Sequence, residues 1–82
     1  MSAVQALPEL AAEHGWAVDT VEPDMWGDVR STAVGDTGTI RLTFDPAGTL
    51  RGGYLYDVRG RTFHTVRVTD VKRWITGDGS NP

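Results

Sequence analysis

Apolar and polar residues alternate most cleanly in the middle of the chain. Ile40, Leu42 and Phe44 are separated by Arg41 and Thr43 and flanked by Thr39 and Asp45, the period-2 pattern of a half-buried strand. Asp45-Pro46-Ala47-Gly48 then has the residues of a type I turn closed by a left-handed glycine. Such a turn predicts Phe44 opposite Leu50, Leu42 opposite Gly52 and Ile40 opposite Tyr54, with Leu50, Tyr54 and Tyr56 on the core face. Asp57-Val58-Arg59-Gly60 repeats the Asp-x-x-Gly spacing. The same turn there pairs Leu50 with Val68, Gly52 with Val66 and Tyr54 with His64. A two-residue turn at Arg59-Gly60 would instead slip the register by one and reverse every side chain. The first register is preferred because it buries Val66 and Val68 rather than Arg67. It leaves Arg51 beside Arg67, Leu55 beside Phe63, and Arg41 between these rows, on the outer face.

On either side of this core the periodicity changes. Leu7, Leu10 and Ala11 recur at helical spacing, Pro8 suits a first helical turn and Gly15 suits a stop. These place a short helix at 8–14. Val71, Trp74 and Ile75 repeat the spacing, with a cap at Thr69 or Asp70 and a stop at Gly77. Residues 16–21 alternate only imperfectly, in the manner of a short strand outside the sheet. Residues 26–34 read as an edge strand, and Gly35-Asp36-Thr37-Gly38 as a reversal. The expected fold is α+β: a four-stranded antiparallel meander (28–34, 38–45, 49–57, 61–68) with a helix before it and a helix after it. Ile40, Leu42, Phe44, Leu50, Tyr54, Val66 and Val68 would meet Leu7, Leu10, Val71, Trp74 and Ile75. Residues 1–77 form one domain, and 78–82 are expected to be a flexible tail.

The chain has 82 residues and no cysteine. No disulfide or thiolate zinc site can supplement so small a core. No apolar run nears the roughly 20 residues needed to cross a bilayer, and the amino terminus lacks a signal-peptide pattern. A cytoplasmic protein with no membrane partner is expected. The net charge of −3 disfavours a general polyanion binder. The charge is nevertheless uneven: residues 1–40 carry one base and seven acids, and residues 41–82 seven bases and four acids. Seven arginines to one lysine, with abundant Ala, Gly, Val, Asp and Thr, has the look of a GC-rich genome.

Catalytic material is sparse. The histidines are His14 and His64, and no serine has a nucleophile-elbow context. Glu9, Glu13 and His14 have the spacing of any exposed helix surface. Asp19, Glu22, Asp24 and Asp28 lack calcium-loop spacing. No catalytic residue, cofactor or metal is expected, and the chain is read as a non-enzyme.

Two binding functions remain. The first is a small accessory or regulatory module that binds another protein or itself. Its anchors would be Trp16, Met25 and Trp26 in the acidic segment, with Leu55 and Phe63 on the sheet. The alternative is a nucleic-acid-binding domain using Arg41, Arg51, Arg59, Arg61 and Arg67 on a sheet face. Leu10-Ala11-Ala12-Glu13-His14-Gly15-Trp16 at the start and Val71-x-x-Trp74-Ile75 at the end bracket the strands. This layout resembles small open reading frames of actinobacteria and their phages. A phage origin would imply action on a host protein.

Overall fold

A computed structural model describes residues 2–77; the expected tail at 78–82 lies outside the described residues. Helix α1 (Ala3–Glu13) is followed by strands β1 (Ala17–Val21), β2 (Val29–Gly35), β3 (Gly38–Phe44), β4 (Leu50–Asp57) and β5 (Thr62–Thr65), and by helix α2 (Val68–Thr76). The strands form one antiparallel meander in chain order. The α+β class is as expected, but the sheet has five strands rather than four. Residues Ala17–Val21 join it as an edge, paired with β2. No helix among the described residues is long and apolar enough to cross a membrane.

Helix α1 starts five residues before the expected position. Its apolar stripe takes in Ala3, Val4, Leu7, Leu10 and Ala11, all in or against the core. Pro8 therefore lies inside the helix, where it removes one backbone bond, and burial of the stripe outweighs that loss. The free N–H of Val4 in the first turn donates to the Gly48 carbonyl at 3.1 Å, so the β3–β4 turn caps the helix start. At the other end His14 donates from Nδ1 to the Leu10 carbonyl at 3.0 Å. Helix α2 stops at Gly77, as expected, in the left-handed conformation.

The two Asp-x-x-Gly turns form as expected, and a third copy, Asp24-Met25-Trp26-Gly27, closes the β1–β2 hairpin. In each, one aspartate Oδ1 accepts the backbone N–H groups two and four residues on, at 2.8–3.1 Å. In each, the glycine N–H donates back to the aspartate carbonyl. The glycines sit at φ 82, 88 and 86°, a region closed to most L-residues.

The second turn sets the expected register, Tyr54 against His64. The faces, however, are reversed. Phe44 pairs with Leu50, but Thr43 pairs with Gly52, so Arg51 is the extra residue of a β-bulge. Beyond it Leu42 meets Gly53 and Ile40 meets Leu55. Leu55 and Phe63 thus belong to the helix-covered face, while Tyr54, Tyr56 and His64 belong to the other. β5 ends at Thr65. Val66 is 60% exposed instead of buried, Val68 opens α2 instead of pairing with Leu50, and Arg67 leaves the sheet without meeting Arg51.

The core lies between this inner face and both helices. Phe44, Leu7, Ile40 and Val71 are its largest fully buried side chains, each contributing about 1.5–3 kcal/mol by burial. Gly53 is where α2 comes close: a Cβ there would lie 2.8 Å from Leu42 Cδ2 and 3.8 Å from Val71 Cγ2. Ser31, the buried polar residue, shares a 3.2 Å hydroxyl hydrogen bond with Thr20 across the β1–β2 pair.

Candidate interaction surfaces

Of the residues expected to bind a partner, two are buried in the core and the others lie at three places on the surface. Trp16 is core. It is 7% exposed, its Nε1 donates to the Ile75 carbonyl at 3.1 Å, and its ring lies on the Gly35 backbone. It joins the end of α1 to α2 and is not available as an anchor. Leu55 is likewise buried in the inner face.

Met25 and Trp26 are the reverse case, 85% and 72% exposed. They are the two central residues of the third turn, whose Asp24 accepts from Trp26 and Asp28. Around them Arg51 Nε donates to Asp28 at 3.2 Å and Arg30 lies 3.8 Å from Asp24. Exposed pairs of this kind add about 0–1 kcal/mol each, but they fix where the turn sits. A Cβ on Gly27 would come within 3.0 Å of Pro46, so the turn rests against its Asp45–Gly48 counterpart. Two large apolar side chains are thereby held in water on a preorganised support.

The outer sheet face is the second place. Neither helix covers it. One row across the strands reads Asp19, Thr32, Arg41, Tyr54, His64, and the next reads Ala17, Val34, Thr39, Tyr56, Thr62. Tyr54 is 49% exposed and lies between Tyr56, ring centroids 6.4 Å apart, and His64, 4.9 Å apart. Among the described residues Arg41 has no ion-pair partner. The five expected arginines do not share this face: Arg51 turns to Asp28, Arg59 and Arg61 lie at the β4–β5 turn, and Arg67 precedes α2. Sequence reasoning placed the tyrosines in the core and so missed this aromatic row. Its signal was that Tyr54 paired with His64 brings hydroxyl and imidazole groups that a core would have to satisfy, whereas Leu55 paired with Phe63 brings none.

The third place is the junction of β5 and α2, where Phe63 is 44% exposed. Its ring meets Trp74 at 5.5 Å between centroids, and the Arg61 guanidinium lies 5.8 Å from its own centroid. Arg61 Nε also donates to Asp57 Oδ2 at 2.7 Å. That bond, with the Arg61 and Arg59 backbone N–H groups, holds the Asp57 carboxyl below its ordinary value of 3.8. Trp74 Nε1–H is buried with no acceptor among the described residues.

Set against protein-family models, curated proteins and solved structures, the chain finds no match.

Proposed function

We propose that this chain is a small protein-binding module whose anchor is the Met25–Trp26 turn. The observation that carries the reading is the exposure of both side chains on a turn held by its own aspartate and glycine. Water gains nothing from such an arrangement, whereas a partner's apolar pocket would receive two large groups whose backbone is already ordered. If the likeness to phage reading frames holds, that partner is a protein of a high-GC bacterial host.

The test compares wild type with Trp26→Ala in capture from such a lysate, after circular dichroism has verified that the variant is folded. Sedimentation equilibrium of both proteins covers self-association. Loss of one captured species, or of a dimer, supports the reading; identical behaviour of a folded variant removes it.

The outer face favours a second reading, contact with single-stranded nucleic acid. Tyr54, Tyr56 and His64 are a contiguous set of rings for bases to stack on, and Arg41 stands directly opposite Tyr54. An oligonucleotide titration at about 50 mM salt tests it. Binding that weakens with salt and with Tyr54→Ala supports it, and no binding at that salt eliminates it.

A further inference from the structure

A cleft of ≈ 520 Å³ opens between β5 and α2. It lies at the end of the sheet opposite the Met25–Trp26 turn, beside Thr37 and Asp57. Leu55, Phe63 and Trp74 give it an apolar floor. Of the charges on its rim, Asp57 is tied to Arg61, and Asp70 accepts the Thr65 hydroxyl at 2.6 Å. Arg73 has no ion-pair partner among the described residues.

One wall of the cleft is a free strand edge. Hydrogen-bonded pairs alternate with non-bonded pairs along an antiparallel ladder. Asp57 N–H donates to the Arg61 carbonyl at 3.0 Å, so Leu55–Phe63 and Gly53–Thr65 are the bonded pairs further along. The backbone groups of Thr62 and His64 therefore point away from β4, and no described residue bonds to them. His64 borders the cleft although its ring packs on Tyr54 at the opposite face, so its backbone is the part at the rim. Residues 57–70, which contain this edge, carry Arg59, Arg61 and Arg67 against Asp57 and Asp70.

We propose that the cleft takes an extended peptide segment of another protein, added beside β5 as a sixth strand, with a large apolar side chain on Phe63 and Trp74 and an acidic side chain beside Arg73. Backbone pairing to Thr62 and His64 supplies orientation. Side chains two residues apart on the added strand point to the same face, so the apolar and acidic groups enter the cleft together. Arg73, the rim cation without an ion-pair partner among the described residues, favours an acidic side chain over a basic one beside it. This site stands apart from the Met25–Trp26 turn, and either can act without the other.

The probe is a blocked eight-residue peptide of threonines with one phenylalanine and, two residues on, one glutamate. It is titrated into the isotope-labelled full chain and followed by NMR. Shifts are expected at β5 and along α2, and not at Met25 or Trp26. Arg73→Glu, on an exposed side chain, should weaken binding about tenfold and reverse the preference toward a lysine-containing peptide. His64→Pro removes an edge N–H that β4 does not use and should abolish binding while the fold is kept. Trp26→Ala should leave binding unchanged. The proposal is overturned by no shifts at about 1 mM peptide, by shifts centred on Tyr54, or by equal binding of a peptide N-methylated at its pairing positions.

Discussion

The three tryptophans of this chain occupy three environments, and truncating each in turn measures whether those environments are as described. Trp16→Ala is the severe case. It removes a side chain that is 93% buried by the complement of its 7% exposure, lies on Gly35, and donates to the Ile75 carbonyl. Truncation of a buried aromatic costs about 3–5 kcal/mol. A domain of this length has about 4–12 kcal/mol in total at about 0.05–0.15 kcal/mol per residue. With a urea slope of about 1 kcal/mol/M, the midpoint should fall by about 3 M or more, or the variant should be unfolded at the outset. Trp26→Ala should stay within about 0.5 kcal/mol, as for an ordinary surface change. Trp74→Ala should fall between. Circular dichroism is the readout, since the mutations alter the fluorescence itself. A Trp26 variant less stable than the Trp16 variant would refute the assignment.

Gly35 sharpens this test. A Cβ there would lie 2.7 Å from Trp16 Cδ2 and 2.8 Å from Cε3. Gly35→Ala alone should therefore lose about 1–3 kcal/mol through overpacking. In the Trp16→Ala background the methyl group meets empty space and its penalty should shrink, giving a coupling of about 1 kcal/mol or more. Strict additivity would mean that the indole does not lie on the Gly35 backbone.

The turns and the titrating aspartate supply two further tests. Gly60→Ala at φ +86° meets no atom within 4 Å, so its loss should be the left-handed strain alone, about 1–2 kcal/mol. Gly48→Ala at φ +88° adds a Cβ 3.0 Å from both Ser2 and Val4 and should lose more in the same urea assay; equal losses would mean that α1 does not press on this turn. The folded-state pKa of Asp57 is lowered, first by the Arg61 side-chain hydrogen bond. Its contribution is therefore present above the unfolded-state pKa and is lost as pH falls through the lower folded value. The stability gap between wild type and Asp57→Asn should narrow as pH drops below the ordinary 3.8, and a gap independent of pH there would contradict it.

Most of the architecture can be read from local chemistry. The Asp-x-x-Gly turns, the inward set Ile40, Leu42 and Phe44, and the stop at Gly77 each follow from a few adjacent residues. The third turn was equally readable, since Asp24-Met25-Trp26-Gly27 repeats the same spacing; the two apolar residues inside it disguised a loop as part of a strand. The early start of α1 was harder, because Pro8 argues locally for a first turn and only packing against the Gly48 turn overrides it. The site residues depended on faces, and the faces depended on one residue.

That residue is Arg51. Leu50 and Leu55 are five positions apart and both are buried, at 7% and 3% exposure, which a regular strand forbids because side chains alternate with period two. The bulge reconciles them by taking one residue out of the count. Without it, Tyr54 and Tyr56 would face the helices and Leu55 would face water, which is the arrangement simple alternation predicts. Deleting Arg51 should therefore be mild. The shortened strand would keep Phe44 against Leu50, Thr43 against Gly52 and Ile40 against Leu55 in an unbroken ladder, losing the local twist and an exposed ion pair worth about 0–1 kcal/mol. Deleting Arg41 is the control, because it leaves Ile40 and Leu42 adjacent and forces one of two buried side chains outward. Urea midpoints of the two deletions should differ widely, with the Arg51 deletion near wild type and the Arg41 deletion unfolded. Equal damage from both would mean that Arg51 does more than step aside, and the division of the sheet into a packed face and an aromatic face would need another cause.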